Sequence, residues 1–245
     1  MNNRVVLSVT GSDRHSFLQG LVTNDVKRAR DGIIYTALLT PQGKLITDFF
    51  VVGQENALLI DVAAETAPTL FQRLSMYKLR ADVQITETEL VVSTGLGAMP
   101  DGAVIDPRGP QMGWRYYGQD DIGQDIDWDA QRVAHGIPEL GRELNSESYI
   151  LEMGFERLNG VDFKKGCYVG QEVTARMKHK TELRKGLRRI TLSEPVIEGT
   201  PIHSGEKEAG TVHTVSGREA LAYLRFDRIS DDMTAGAARV TVLPE

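Results

Sequence analysis

The pattern of hydrophobic positions alternates between short strand-like runs and isolated amphipathic stretches. Runs rich in Val, Ile and Leu predict strands at residues 4–9, 33–39, 45–52 and 57–62. Residues 41–44, Pro-Gln-Gly-Lys, have turn chemistry, so the strands on either side are expected to pair as a hairpin. Residues 82–86 and 89–94 are expected to form a further strand pair.

Three stretches have the period of an α-helix. The predicted helix at residues 66–79 has one apolar stripe, formed by Leu70, Phe71, Leu74 and Tyr77. Asp127 or Asp129 caps a second predicted helix, which ends at Gly136 because glycine favours the left-handed turn that terminates helices. Ser12 is expected to cap a third, short helix.

The pattern changes after residue 186. Short apolar runs separated by Gly or Pro turns follow at residues 188–192, 209–215, 220–226 and 238–243. Such spacing predicts a small all-β domain, a barrel. The sequence therefore predicts an α+β fold, in which residues 1–183 form an α+β region of two subdomains and residues 184–245 form a C-terminal β-barrel domain. The boundary is expected near residues 181–186.

Composition narrows the setting in which this fold would work. The 245 residues include one cysteine, Cys167, so an internal disulfide is excluded, as is a cysteine-based zinc or iron–sulfur site built by this chain alone. We therefore expect no metal bound by this chain alone, and a reducing, cytoplasmic location. The opening Met-Asn-Asn-Arg leads straight into an apolar strand, so no secretory signal is expected. No apolar run approaches the ~18 residues of a membrane span, so no membrane contact is expected.

The charge is unevenly distributed along the chain. The net charge is −6, yet residues 164–189 contain nine Lys or Arg residues against two acids. A basic stretch in an acidic protein indicates a local anionic ligand or partner, unless the stretch is only a solvated face. Nucleic acid is not expected as that partner, because the sequence pI is about 5.5 and aromatic residues make up only 7%.

One segment stands out because the common catalytic motifs are absent from the sequence. The chain has no phosphate-binding loop, no His-Glu-x-x-His and no Gly-x-Ser-x-Gly. Around the single thiol, however, glycines and charged residues are dense: Lys165, Gly166, Cys167, Tyr168, Gly170, Gln171, Glu172 and Arg176. The glycines permit a tight turn, and cations beside a thiol favour its reactive thiolate form. A buried, inert structural cysteine is the alternative, since free cysteine is among the most buried residue types.

The string K-G-C-Y-x-G-Q-E-x-x-A-R, which begins at Lys165, resembles the hallmark of the YgfZ-type folate-binding proteins. These are relatives of the glycine cleavage T-protein and of a mitochondrial iron–sulfur assembly factor. Further blocks resemble the same family in order along essentially the whole chain: residues 17–26, 40–49, 77–83, 132–138, 159–161, 209–212 and 220–225.

The resemblance implies a ring-like, folate-binding body of mixed sheets and helices closed by the small C-terminal barrel. It implies tetrahydrofolate, or a one-carbon derivative of it, as the cofactor in a central cavity. It assigns three residues to folate binding: Asp48, Asn24 and Arg132. Asp48 corresponds to the aspartate that T-proteins hold against the reduced pterin, and a carboxylate suits a pterin because it accepts hydrogen bonds from N–H groups. The segment around Cys167 is assigned the chemical role.

Departures from the T-protein pattern bear on function. T-proteins tend to carry paired aspartates where this chain has Thr47 and Asp48, and no Gly-Tyr-Thr-Gly-Glu block occurs around residues 113–116. They also have no cysteine where Cys167 lies. The expected function is therefore that of a monomeric, tetrahydrofolate-binding accessory protein that supports assembly or repair of iron–sulfur clusters in client enzymes. The alternative is a tetrahydrofolate-dependent aminomethyltransferase or methyltransferase of the T-protein type, and turnover of a methylated amine or lipoyl-linked substrate would separate the two.

Overall fold

A computed structural model describes residues 4–180 and 182–244. The first three residues, on which the expectation of no secretory signal rests, lie outside the described residues, as does Thr181 within the expected boundary. The chain divides into two units. Unit 1 comprises Met1–Ile126 and Phe155–Ala175, and unit 2 comprises Asp127–Gly154 and Arg176–Glu245. The sequence-based division at residues 183 and 184 stays a prediction.

Unit 1 is built on a five-stranded antiparallel sheet with strand order β2-β3-β4-β1-β5. Its strands are β1 (Arg4–Thr10), β2 (Ile33–Leu39), β3 (Leu45–Gly53), β4 (Leu58–Ala63) and β5 (Gln84–Glu87). Two α-helices, α1 (Arg14–Gln19) and α2 (Ala67–Lys78), and a 3-10 helix (Val26–Asp31) accompany it. The expected hairpin at residues 33–52 is confirmed as β2 paired with β3.

The two faces of this sheet bury different residues because side chains alternate along a strand. Leu7, Phe49 and Ile60 face the larger core, which also takes in Leu18 of α1 and Leu70 of α2. The opposite face carries a smaller apolar cluster together with charged side chains; that cluster is formed by Val6, Val52, Leu59 and Val92. The second face therefore combines apolar and charged side chains.

A three-stranded sheet of order β6-β8-β7 contributes Val92 to the second face. Its strands are β6 (Val91–Gly95), β7 (Val104–Ile105) and β8 (Trp114–Gly118). The expected pairing of residues 82–86 with 89–94 is wrong, because β5 pairs with β1 and β6 pairs with β8. The amide of Thr88 still donates to the Val6 carbonyl. After this residue the chain leaves the first sheet and enters β6.

Unit 2 contains a closed barrel of order β10-β11-β12-β9-β14-β13. Its strands are β9 (Lys185–Leu192), β10 (Pro201–Ser204), β11 (Lys207–Ser216), β12 (Glu219–Arg225), β13 (Met233–Ala235) and β14 (Ala238–Val242). The barrel interior is filled by small and branched side chains such as Ile190, Val212 and Ala222. The α+β class with a C-terminal barrel is confirmed, while β10 and β13 are strands that the sequence pattern did not indicate.

Helix ends show which local signals were sufficient. Helix α3 (Trp128–His135) begins where the Asp127 carboxylate accepts from the Ala130 amide, and it ends at Gly136, whose φ is 66°. That prediction is confirmed, with Asp127 as the cap. Ser12 is not a cap, because its hydroxyl donates to Asp82 instead. The predicted stripe on α2 is half wrong: Leu70 and Leu74 are buried, but Phe71 is 41% exposed and Tyr77 36% exposed.

One further helix, α4 (Gln171–Lys180), was not predicted from the sequence. It follows directly after Gly170 and carries three basic residues in its last turn, where cations interact favourably with the helix dipole. Every helix within the described residues is too short or too polar to cross a membrane.

Candidate functional site

Asp48 lies on the second face of the five-stranded sheet, beside a buried tyrosine. In the β2–β3 pair Tyr35 lies opposite Phe50, which makes Asp48 its diagonal neighbour. The Tyr35 hydroxyl donates to Asp48 Oδ2 over 2.8 Å. The Tyr35 ring also lies 5.0 Å from the ring of Phe155 and 5.2 Å from that of Phe50, measured between centres. The pair is therefore a fixed donor and acceptor at an aromatic cluster.

Tyr35 acts as a donor throughout the neutral range. Burial raises the pKa of Tyr35 well above its usual value, and the neighbouring Asp48 carboxylate raises it further. Asp48 itself is half-buried. Among the described residues, only Tyr35 hydrogen-bonds to its carboxylate, and it does so through Oδ2. Oδ1 thus has no hydrogen-bond partner among the residues that the structure describes.

Asn24 braces this arrangement and is itself buried, with 3% exposed. Its amide nitrogen donates to the Tyr35 carbonyl over 2.8 Å and to the Asn159 carbonyl over 2.7 Å. Its side-chain oxygen accepts from the Asp25 amide over 2.8 Å. Both amide hydrogens are therefore used inside the protein, and Asn24 positions the strand that carries Tyr35. Its assignment to folate binding stays a prediction.

Sequence reasoning did not identify the aromatic and cationic groups around Asp48. The Arg108 guanidinium lies 5.7 Å from the centre of the Tyr35 ring and 5.0 Å from that of Phe50, and it pairs with Asp106 at 2.8 Å. Tyr35 sits within an apolar strand and Arg108 within a Gly- and Pro-rich loop, so neither was distinguished by a motif. Only strand alternation combined with the β2–β3 register brings Tyr35 to Asp48.

A buried charge cluster supports the same face of the sheet. Asp61 on β4 is fully buried and pairs with Arg115 on β8 and with Arg4 on β1. Burial alone would raise the pKa of Asp61, but the two guanidinium groups outweigh it and hold that pKa below its usual value. The Arg115 guanidinium lies 4.0 Å from the centre of the Phe50 ring. Because two guanidinium groups hold the Asp61 carboxylate, the cluster keeps Arg115, and with it Phe50, in place next to the Tyr35–Asp48 pair.

Cys167 is exposed, and its loop is anchored by the residues beside it. The Lys165 ammonium donates to the Gln19 carbonyl over 2.7 Å and to the Val22 carbonyl. It also lies 5.0 Å from the centre of the Tyr168 ring. Burial lowers the pKa of Lys165 to about 8. This lysine therefore ties the thiol loop to the end of α1, rather than serving only as a cation for the thiol.

The other end of the Cys167 segment packs on the β2–β3 turn. Gly170 has φ +84°, and a Cβ there would stand 2.6 Å from the Thr40 carbonyl oxygen, so a side chain is excluded. A Cβ on Gly43 would likewise stand 2.8 Å from that of Val173 on α4. Gln171 and Glu172 lie in the first turn of α4, with Arg176 further along. The hairpin that carries Asp48 thus contacts the thiol segment at its turn.

Arg132 lies in unit 2 and is engaged within it. Its guanidinium donates to the Glu143 carboxylate over 3.1 Å, to the Thr214 hydroxyl over 3.1 Å and to the Asp129 carboxylate over 2.9 Å. The residue is 4% exposed. Arg132 therefore ties α3 to β11, and its assignment to folate binding stays a prediction.

The basic stretch at residues 164–189 is not one continuous free surface. Besides Lys165, Lys185 lies 5.2 Å from the centre of the Tyr223 ring and Arg188 lies 4.1 Å from that of Phe226. Arg189 pairs with Glu219 at 3.2 Å. In the part of the chain that is described, no group of three or more His, Cys, Asp and Glu side chains could hold a metal ion.

The sequence of this chain is similar to those of known proteins. The family model described as CAF17, C-terminal beta-barrel domain, matches residues 184–245. The iron-sulfur cluster assembly factor IBA57, mitochondrial, of Homo sapiens is 30% identical over 89% of this chain and 71% of that protein. The IBA57 homolog of Mycosarcoma maydis is 30% identical over 81% of this chain and 57% of that protein. The chain thus spans little more than half the length of that fungal relative.

A solved structure gives the same fold. The aminomethyltransferase T of the glycine cleavage system from Bartonella henselae superposes with a TM-score of 0.79, covering 100% of this chain and 83% of that one. At 13% sequence identity this likeness concerns the fold alone.

These relatives correct the expected location and identify the family of the chain. They are named as mitochondrial proteins, so the cytoplasmic location expected from the sequence is wrong. That expectation rested on the lack of an internal disulfide, which does not distinguish among compartments that keep thiols reduced. With 30% identity over most of both proteins in the human comparison, the chain belongs to the IBA57 family.

Proposed function

We propose that this protein is a tetrahydrofolate-binding accessory factor that supports assembly or repair of iron–sulfur clusters in client enzymes, as the YgfZ-type resemblance implies. Its relatives are named iron–sulfur cluster assembly factors. One observation carries the proposal: unit 1 holds both a carboxylate, that of Asp48, whose Oδ1 has no partner among the described residues, and an exposed thiol.

The acceptor carboxylate of Asp48 fits a reduced pterin. Tyr35 fixes Asp48 through Oδ2 and leaves Oδ1 to accept from ring N–H groups, which is the hydrogen bonding that a pterin offers. The adjacent rings of Tyr35 and Phe155 are fully buried, so they fix the position of Asp48 instead of contacting the ligand themselves. Bound tetrahydrofolate would supply one-carbon carrier chemistry. The residues of this chain bind and orient it.

The thiol fits a transient role toward a cluster. Stable cluster binding requires several thiolates, and this chain has one. The cluster is then a substrate, held jointly by Cys167 and thiolates of a client or assembly protein. Exposure of Cys167 on a loop anchored by Lys165 makes it reachable by such a partner. The partner class is therefore a protein with an incomplete or damaged cluster.

The structure gives a physical reason to prefer this function over aminomethyl transfer. The resemblance places paired aspartates in T-proteins where this chain has Thr47 and Asp48. Thr47 is fully buried, and its hydroxyl lies 2.8 Å from that of Thr66. The residue beside Asp48 is thus committed to the packing of the sheet and supplies no second carboxylate.

The test is complementation in cells that lack the native protein. Wild type should restore iron–sulfur enzyme activity, Cys167→Ser should abolish that support, and Asp48→Asn should reduce it. Asp120→Asn, at an exposed position, is the matched control and should behave as wild type. Full rescue by both Cys167→Ser and Asp48→Asn, at equal protein levels, would refute the proposal.

A further inference from the structure

A second candidate site lies at the opposite end of the five-stranded sheet from the turn that contacts the Cys167 segment. In the antiparallel order β2-β3-β4-β1, the end of β1, the start of β2 and the end of β3 meet at one edge. A cleft of about 540 Å³ opens there. It is lined by Ser12, Arg14, His15, Arg30, Gly53, Gln54 and Glu55.

The segments around the cleft are held together by the Arg14 side chain and by close backbone packing at Gly53. Arg14 donates to the Gly11 carbonyl over 2.9 Å and to the Glu55 carbonyl over 3.2 Å, so it links the β1–α1 loop to the β3–β4 turn. A Cβ on Gly53 would stand 1.9 Å from the Ala29 carbonyl oxygen, so the turn lies directly against the 3-10 helix. The neighbouring residue on that helix, Arg30, is thereby placed at the same cleft.

The charged side chains that line the cleft are mostly basic. Three basic side chains, Arg14, His15 and Arg30, line it together with a single carboxylate, that of Glu55. Arg30 is exposed and has no hydrogen-bond or ion-pair partner among the side chains that the structure describes. Like charges brought together repel, so an anion placed between them would be stabilising.

The positive charges around the cleft also act on His15. Burial lowers the pKa of His15, and the positive charges of Arg14 and Arg30 lower it further. Within the described part of the chain, two buried nitrogens at the cleft, Arg14 Nε and His15 Nδ1, also lack hydrogen-bond partners. Buried polar atoms are normally satisfied by protein, water or ion, so the cluster is incomplete as the protein alone builds it.

We propose that this cleft binds the phosphate group of a small phosphorylated molecule. The two arginines exceed Glu55 by one positive charge, and a bound dianion would favour protonation of His15, which adds a second. The cleft therefore suits a dianion better than a single carboxylate. A phosphate monoester carries about −1.5 to −2 at pH 7, and the planar guanidinium matches its oxygens in paired hydrogen bonds. The cleft volume lies within the ~300–1,000 Å³ of small-molecule sites.

The test is a titration of the full chain with inorganic phosphate and with glycerol 3-phosphate at constant ionic strength. Nuclear magnetic resonance would follow the His15 ring and the amides of Gln54 and Glu55. We expect saturable shifts at these groups and a rise in the pKa of His15 on saturation, because a dianion favours the protonated ring. We expect the ester to bind more tightly than inorganic phosphate. Equal affinity for the two probes would limit the cleft to free phosphate and overturn its assignment to a phosphorylated molecule.

Arg30→Gln should weaken phosphate binding roughly tenfold, because it removes one charge-assisted contact. Arg28→Gln is the matched control: the same change two residues earlier on the same 3-10 helix, at an exposed residue that does not line the cleft. Its affinity should change less than about twofold. Shifts that rise linearly without saturating, or equal weakening in both variants, would show non-specific ion effects and overturn the proposal.

Discussion

The resemblance assigns Arg132 and Asp48 to the same ligand, yet the two side chains are in opposite situations. Arg132 is buried and donates to Glu143, Thr214 and Asp129 within its own unit. Asp48 is half-buried, and only Tyr35 bonds to its carboxylate among the described residues. A motif can identify a residue, but only the fold shows whether the hydrogen-bonding groups of that residue are already used. Residues already engaged should govern stability, and unengaged residues should govern function.

The largest effect is expected from removing Arg132. Arg132→Ala would leave the fully buried Glu143 carboxylate without its main partner, so the free energy of unfolding should fall by about 3–5 kcal/mol. Urea denaturation of the variant and wild type measures this. Arg239→Ala, at an exposed barrel position, is the control and should change it by less than ~0.5 kcal/mol. If Arg132→Ala changes the free energy of unfolding as little as the control does, the hydrogen bonds of Arg132 do not stabilise the fold.

Lys165 is an engaged residue in unit 1. Lys165→Met removes the hydrogen bonds to the Gln19 and Val22 carbonyls and should lower the free energy of unfolding by ~1–3 kcal/mol. The exposed neighbour offers the control, Lys164→Met, which should have little effect. If the two variants melt alike, Lys165 does not anchor the thiol loop.

The effect of Lys165 should also depend on pH with a defined sign. Its pKa is about 8 in the folded protein against an ordinary 10.5, so the unfolded chain binds more protons between these values. Stability therefore rises with pH across that window. The stability advantage of wild type over Lys165→Met should grow from pH 8 to pH 10, and a shrinking advantage would contradict the burial of the ammonium.

Cys167 should show almost no effect on stability. Its thiol is exposed, so Cys167→Ser should change the free energy of unfolding by less than ~0.5 kcal/mol. Iodoacetamide should alkylate the native protein near neutral pH, as followed by mass spectrometry. A thiol that resists alkylation until denaturant is added would show the inert, buried cysteine that the sequence left as the alternative.

Local signals sufficed where structure is local. The Asp127 cap and Gly136 end predicted α3, and the turn at residues 41–44 predicted the hairpin that carries Asp48. The barrel was predicted from regularly spaced apolar runs, because each run packs on the same interior. In these cases a few neighbouring residues determine the outcome.

Long-range contacts were the part that the sequence could not supply. The separate partners of β5 and β6 depend on strands some 20 to 80 residues away. Whether Phe71 is buried depends on which side of α2 faces the sheet. The apolar stripe along the helix does not determine that side by itself. The approach of Tyr35 to Asp48 follows from strand register, and the use of Arg132 follows from Glu143 and Thr214.

Calorimetric titration with tetrahydrofolate would show whether Asp48 is the acceptor for folate. Wild type should bind, and Asp48→Asn should lose ~1.5–3 kcal/mol of binding free energy, roughly ten- to 150-fold in affinity, because a charge-assisted acceptor is lost. Its melting temperature should stay close to that of wild type, and Asp120→Asn should bind as wild type does. No binding by wild type, or unchanged affinity in Asp48→Asn, would contradict the claim that Asp48 is the acceptor for folate.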